Sequence, residues 1–273
     1  MKNIRVITLE DINVEELTDI WNRCWYGYYY DMTYTPEHIR AWLYLSQVSL
    51  QHSSAIVVED HVAGFALLSV DGIEGWIAGA CVDPEFRRKG LFTPLMHYQL
   101  NLATGVGLKR VYLEVWEQNH ALKVYQSVGF KQVRQLNIYR PTCKIGPQPD
   151  RKISASPLET VSVEQYYENR RRASFNPAWQ RKDEYLKRHG NSLAVMNITG
   201  TAGALLARDR FAPCLDAWSA NATGAEEVIT SLLERSNAPF SLINQPQDVI
   251  VDFLSSSGIN PSAKQFEMCA ELS

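Results

Sequence analysis

The stretch Ala80-Cys81-Val82-Asp83-Pro84-Glu85-Phe86-Arg87-Arg88-Lys89-Gly90-Leu91 constrains the fold of this chain more than any other. An apolar strand runs into a short basic turn holding one glycine. The turn opens directly into a segment whose Leu91, Leu95, Tyr98 and Leu102 recur at helical spacing. A strand that feeds a helix in this way makes a cradle for a pyrophosphate-like anion. Backbone N–H groups at a helix start, with the helix dipole behind them, favour negative charge, and Arg87, Arg88 and Lys89 add positive potential. Gly90 lets the backbone approach a phosphate with no side chain in the way. A surface turn with solvated basic residues gives the same local pattern, so the turn alone does not decide.

A second group of residues follows: Leu113-Glu114-Val115, then Asn119, Ala121, Tyr125 and Gly129-Phe130. Together the two groups resemble the GNAT acyltransferase superfamily, whose pattern is an R/Q-x-x-G-x-G/A turn, a strand, then N-x-x-A-x-x-x-Y-x-x-x-G-F. The resemblance implies an N-acetyltransferase that moves an acetyl group from acetyl-CoA, its co-substrate, to a primary amine of a small molecule or peptide by direct attack, with no metal. It places the pyrophosphate on the amides of Arg87, Arg88, Lys89, Gly90, Leu91, Phe92 and Thr93. The pantetheine arm then runs along the strand edge at Ala80, Cys81 and Val82, whose N–H groups point at the thioester, with Asn119 as a further contact. Tyr125 becomes the general acid for the departing thiolate. A phenol with a reference pKa of about 10 is protonated near neutrality and suits that role. The plainer alternative is a residue of an amphipathic helix with its hydroxyl in water.

Two positions depart from the pattern. Phe92 stands where the superfamily has Gly or Ala, and the spacing from Asn119 to Tyr125 is one residue short, which makes Gln118 a competitor for the asparagine's place. These departures keep a second reading open, a non-catalytic CoA-binding or interaction module. The general base is not legible: Glu114, Asp83, Glu74 and Asp31 are candidates, each equally readable as solvated or structural, and a relay through water needs no fixed residue. His97 and His120 read as surface residues, and Cys81 as a small buried hydrophobe rather than a nucleophile.

Tyr28, Tyr29, Tyr30 and Asp31 belong to an aromatic loop, Trp25 to Asp31, between two helices capped at Asn13 and Thr35-Pro36. With Glu114 they are the candidate acceptor-binding residues, although aromatic loops also simply roof a core. The order strand, two helices, three strands, helix, strand, helix, strand matches the superfamily's mixed sheet. The expected fold is therefore α+β, a mixed sheet flanked by helices followed by a second, smaller domain of the same kind. At 273 residues the chain is long for one unit of about 150. The reading is a catalytic domain at 1–142, a Pro- and Gly-bearing linker at 143–157 and a degenerate GNAT-like domain at 158–273. In that second half Gly258-Ile259 aligns with Gly129-Phe130, Leu254 falls at the place of Tyr125, and no basic glycine turn precedes the helix near 225–234.

A net charge of −3 shows no bias toward nucleic acid or anionic membrane. Arg170-Arg171-Arg172 follows Glu168 at helix spacing and reads as a solvated face. Five scattered cysteines without metal-ligand spacing, and an N-terminus with no apolar run of signal-peptide length, point to a reducing, cytoplasmic setting. Neither the acceptor nor the oligomeric state is written in the sequence.

Overall fold

A computed structural model of the chain describes residues 3–140, 158–173, 175–208, 214–235 and 241–273. The expected linker 143–157 lies outside the described residues. Two compact units emerge, Met1–Val133 with Glu267–Ser273, and Arg134–Phe266. The division differs from the boundaries read in the sequence because each half gives up part of its last strand. Residues from Arg134 group with the second unit and residues from Glu267 with the first.

The first half runs β1 (Ile4–Thr8), α1 (Val14–Cys24), α2 (Pro36–Ser46), β2 (Ser54–Val58), β3 (His61–Asp71), β4 (Glu74–Val82), α3 (Phe92–Gly105), β5 (Arg110–Trp116), α4 (Ala121–Ser127) and β6 (Lys131–Tyr139). The second half runs β7 (Glu159–Val161), α5 (Val163–Arg172), α6 (Asp183–Lys187), β8 (Ser192–Met196), β9 (Ala202–Ala207), β10 (Cys214–Ser219), α7 (Ala222–Arg235), β11 (Leu242–Pro246), α8 (Val249–Ser256) and β12 (Ala263–Glu271). The two orders are the same, element for element.

In the first unit β1 to β4 form an antiparallel meander, and β5 joins β4 in parallel. The far part of β12 is the next strand after β5, and the Leu272 N–H donates to the Lys109 carbonyl at 2.9 Å. In the second unit β7 to β10 repeat the meander. There β6 pairs with β11 on one side and with the start of β12 on the other.

Local chemistry sets the elements. Asn13 Oδ1 accepts from the Glu16 N–H at 2.7 Å and starts α1, and Thr35 Oγ1 accepts from the His38 N–H ahead of α2. Trp21 anchors the first core: 1% exposed, it stacks on Tyr34 and Phe65 and donates its indole N–H to the Met32 carbonyl at 2.8 Å. Gly79 permits this packing, since a Cβ there would come within 3.3 Å of the Trp21 ring. Val195, Ala204, Ala217, Val228, Leu242 and Leu254 are among the residues of the second core. Among the described residues no helix is long and apolar enough to cross a membrane.

Candidate active site

The site begins where two parallel strands separate. The register of β4 with β5 runs from Glu74↔Arg110 to Trp76↔Tyr112, yet β4 continues to Val82 and β5 to Trp116. On its other side β4 holds β3 with a register shift, Leu67↔Gly79 then Leu68↔Ile77, so Ala78 is the extra residue of a bulge that bends the strand. The Asp83 N–H donates to the Ala63 carbonyl on the β3 side. By the alternation of an antiparallel ladder, Cys81 also faces β3, while Ala80 and Val82 turn their N–H groups to the open edge. This corrects the expectation that all three residues offer an N–H to the thioester.

The basic turn has a more divided role than its charges suggest. Arg88 and Gly90 both have positive φ, +60° and +73°, which curls the backbone into α3. Leu91 precedes α3 with no side-chain cap, so the first-turn N–H groups are left for a ligand or water. A Cβ on Gly90 would meet nothing within 4 Å, and the mouth of the turn is open. Arg87 does not point into it: its Nε donates to the Val82 carbonyl at 3.0 Å and its Nη2 to the Cys24 carbonyl at 2.9 Å, tying α1 to the end of β4. Lys89 donates to the Glu85 carbonyl at 2.7 Å and lies over Phe86. Arg88 is exposed and keeps its charge available to the turn. Thr93 follows Phe92 within the first turn of α3.

Tyr125 is 7% exposed on α4 and gathers residues from α3, β4 and two loops. Its ring meets Phe92 edge-on at 5.4 Å and Phe130 at 5.8 Å between centroids. Burial pushes its phenol well above the usual tyrosine value, and Tyr28 and Cys81 are close enough to add to the shift. Burial raises Tyr28 in the same direction, with Tyr30, Tyr29 and Cys81 adding to it and the Asn119 side chain opposing. Phe92, Tyr125, Tyr28, Cys81 and Asn119 therefore converge. Asn119 Oδ1 accepts from the Ala121 N–H at 2.9 Å just ahead of α4, a contact that sequence spacing did not reveal. Cys81 donates its thiol to the Cys24 carbonyl, and burial lifts it to about 11, so it is a thiol at neutral pH and no nucleophile.

The candidate carboxylates are held by neighbours. Glu114 accepts from the Trp76 indole at 2.5 Å, and Glu74 pairs with Arg110 at 2.8 Å. Asp83 is 4% exposed; burial pushes it up, but the Glu85 N–H, Arg23 and His61 outweigh that and hold it below the ordinary range. Asp31 accepts from the Thr33 N–H at 2.9 Å within its own exposed turn, and the Thr33 hydroxyl first, then this N–H, lower it. Tyr29 reaches the Gln118 carbonyl at 3.5 Å, and Tyr29 and Tyr30 both lie against Trp116. His97 and His120 are exposed.

The second unit shows what the same architecture looks like when filled. Ile259 N–H donates to the Leu254 carbonyl at 2.8 Å after Gly258 at φ +75°, as Phe130 N–H does to Tyr125 at 3.0 Å after Gly129 at φ +105°. Leu254 thus takes the position of Tyr125 without the hydroxyl. The start of α7 is closed by its own residues: the Gly224 N–H donates to Asn221 Oδ1 at 2.8 Å, and a Cβ on Gly224 would lie 2.8 Å from Ser219 Oγ. Arg181 bridges β10 and β11. Its guanidinium donates to the Ala217 carbonyl at 2.6 Å, binds Asp216 at 2.5 Å and reaches Gln245. Arg170, read from sequence as part of a solvated face, is instead 3% exposed and pairs with Asp216 at 2.7 Å; only Arg172 keeps the expected pairing with Glu168. A helix-face pattern cannot reveal an aspartate that arrives from a distant strand.

Residues 14–130 match the sequence model of the acetyltransferase (GNAT) family. The doubled arrangement is similar in fold to solved structures of two-unit proteins. A tandem GNAT protein from the clavulanic acid biosynthesis pathway is 13% identical with a TM-score of 0.63, the match covering 98% of each chain. A GCN5-related N-acetyltransferase from Sphaerobacter thermophilus is also 13% identical, with a TM-score of 0.62 over 98% of this chain and 95% of that one. At these identities the likeness is one of fold, and the expected α+β mixed sheet followed by a second GNAT-like sheet is borne out. In sequence, 90 residues are 30% identical to the [ribosomal protein bS18]-alanine N-acetyltransferase of Salmonella typhimurium, covering 33% of this chain and 61% of that protein.

Proposed function

We propose that the first unit transfers an acetyl group from acetyl-CoA to a primary amine by direct attack, and that the second unit is non-catalytic. The supporting observation is the position of Tyr125, which meets Phe92 at the start of α3 and has Cys81 of β4 and Tyr28 of the aromatic loop as neighbours. The open turn at Gly90 and the uncapped N–H groups of α3 suit a pyrophosphate. The outward N–H groups of Ala80 and Val82 suit the amides of a pantetheine arm and a developing oxyanion.

In the reaction the amine nitrogen attacks the thioester carbonyl carbon, the C–N bond forms and the C–S bond breaks. The sulfur needs one proton and the nitrogen must lose one. Tyr125 is protonated at every pH where an enzyme of this kind works, because burial opposes its ionisation, and it donates to the sulfur. Glu114, Glu74, Asp83 and Asp31 are each held by a neighbour, so the proton from nitrogen leaves through water, and water returns one proton to the Tyr125 phenolate, which closes the balance. A reducing cytoplasm supplies acetyl-CoA and suits the free thiols of Cys24, Cys81, Cys214 and Cys269.

Release of free CoA thiol from acetyl-CoA over an amine panel, beside calorimetric binding of acetyl-CoA, tests this reading. Turnover with at least one amine is expected. Binding with no turnover on any amine leaves the non-catalytic CoA-binding module standing.

A further inference from the structure

The loop between α1 and α2 encloses a cavity of about 290 Å³ whose lining includes Trp25, Tyr26, Tyr28, Tyr30 and Asp31. Two features set it apart from an aromatic roof over a core. Its rings meet at steep angles, Trp25 with Tyr28 at 75° and Tyr28 with Tyr30 at 69°, so the aromatic residues of the lining do not stack into one flat layer. Asp31 is the one charged residue of the lining, and no Lys or Arg stands among the lining residues to neutralise it.

The loop is also fixed before any ligand arrives. Trp21 donates to the Met32 carbonyl, Asn22 exchanges two hydrogen bonds of 2.9 Å with the Tyr34 backbone, and Asp31 holds the Thr33 N–H. A preorganised wall of aromatic faces beside one carboxylate attracts a positively charged group through the ring quadrupoles and the carboxylate charge together. Neutral or anionic groups gain neither term.

Tyr28 lines the cavity and also neighbours Tyr125. The cavity therefore adjoins the residues gathered around the proposed proton donor. We propose that this cavity binds a second, non-reacting ammonium group of the acceptor, so that the preferred substrates are dicationic amines in which one nitrogen is acetylated and the other is held by Trp25, Tyr26, Tyr30 and Asp31. This assignment rests on the acetyltransferase reading and narrows its acceptor class. The source of such a dication is either a linear diamine or a peptide amine followed by a lysine.

The test compares a diaminoalkane with the monoamine of equal chain length, and a peptide carrying lysine next to its N-terminus with the same peptide carrying norleucine there. Each is measured as kcat/KM with acetyl-CoA, and each dication is titrated calorimetrically onto the full chain. At least one dication is expected to exceed its monocationic match tenfold or more, and the better pair identifies the source. The variant D31N keeps an oxygen acceptor for the Thr33 N–H while removing the charge, and should shrink that preference at least severalfold and weaken calorimetric binding of the dication in parallel. Equal kcat/KM within both pairs, or a D31N variant that keeps the full preference, overturns the proposal. If no amine of any kind is acetylated, the calorimetric arm still decides: a dication that binds wild type and is lost in D31N supports the cavity while the acetyltransferase reading falls, and no dication binding overturns the cavity as well.

Discussion

The ring of Phe92, the first residue of α3, meets the ring of Tyr125 edge-on with their centroids 5.4 Å apart. A position the GNAT pattern reserves for Gly or Ala is therefore occupied by a side chain that braces the proposed proton donor. Truncation by F92A removes one wall of the Tyr125 ring. It should lower kcat by roughly ten- to hundredfold through loss of positioning, with a smaller change in the KM for acetyl-CoA, and F92L should recover most of the loss. Equal kcat for wild type and F92A shows that the contact does not set the tyrosine.

Replacing Tyr125 by phenylalanine keeps the ring packing against Phe92 and Phe130 and removes only the hydroxyl. Turnover should fall by about 10²–10⁴, while calorimetric affinity for acetyl-CoA stays close to wild type. Single-turnover measurements establish that chemistry limits the rate in both proteins.

The same tyrosine gives a stability prediction with a definite sign. Its folded pKa is raised above the unfolded reference of 10.0 by burial. Above pH 10 the unfolded chain releases the phenolic proton while the folded chain keeps it, so the unfolded state binds fewer protons and stability falls as pH rises. Below that pH the two states are alike in this proton and the full stability is present. The alkaline limb of a denaturant-midpoint profile should be shallower in Y125F than in wild type, by up to about 1.4 kcal/mol per pH unit.

Gly90 lies at φ +73°, with open space where a Cβ would project. G90A and G90V both pay about 1–2 kcal/mol for the left-handed backbone, but only valine places bulk in the mouth of the turn. CoA affinity measured by calorimetry should fall by more than about tenfold, or 1.4 kcal/mol, in G90V and by less in G90A, with both proteins folded. Unchanged affinity in G90V removes the turn from the binding site.

One CoA per chain follows from Arg181. Its guanidinium occupies the Ala217 carbonyl and spans from β10 to β11, and Asn221 closes the helix start that a second pyrophosphate would need. Titration should give a stoichiometry near one. R181M should destabilise the protein by about 3–5 kcal/mol, because Asp216 loses one of its two buried arginine partners, and it should create no second site.

The first half of the chain was largely legible because its elements are amphipathic and locally punctuated. The caps at Asn13 and Thr35, the hairpin across Asp60, the strand into the basic turn and the helix at Tyr125 all appear where pattern places them. Side-chain direction was not legible. Arg87 turns back to the carbonyls of Cys24 and Val82, and Arg170 and Arg181 meet Asp216 inside the protein, because those partners are distant in sequence and no periodicity encodes them. The convergence of Tyr28 with Tyr125 belongs to the same class: each residue was picked out by its own neighbourhood, and only the fold brings them together.

The placement of β12 next to β5 carries a consequence for how the protein is made. A ribosome releases β5 long before it reaches Glu267, and strand pairs of such large sequence separation form slowly. Until then the outer edge of β5 is an exposed row of hydrogen-bonding groups, a template for intermolecular pairing. Synthesis of the N-terminal half alone would leave that edge permanently bare, so expression of residues 1–142 should favour aggregates even though that stretch contains every residue assigned to the chemistry. Supplying residues 263–273 as a separate peptide during refolding would offer the missing strand and should restore soluble material.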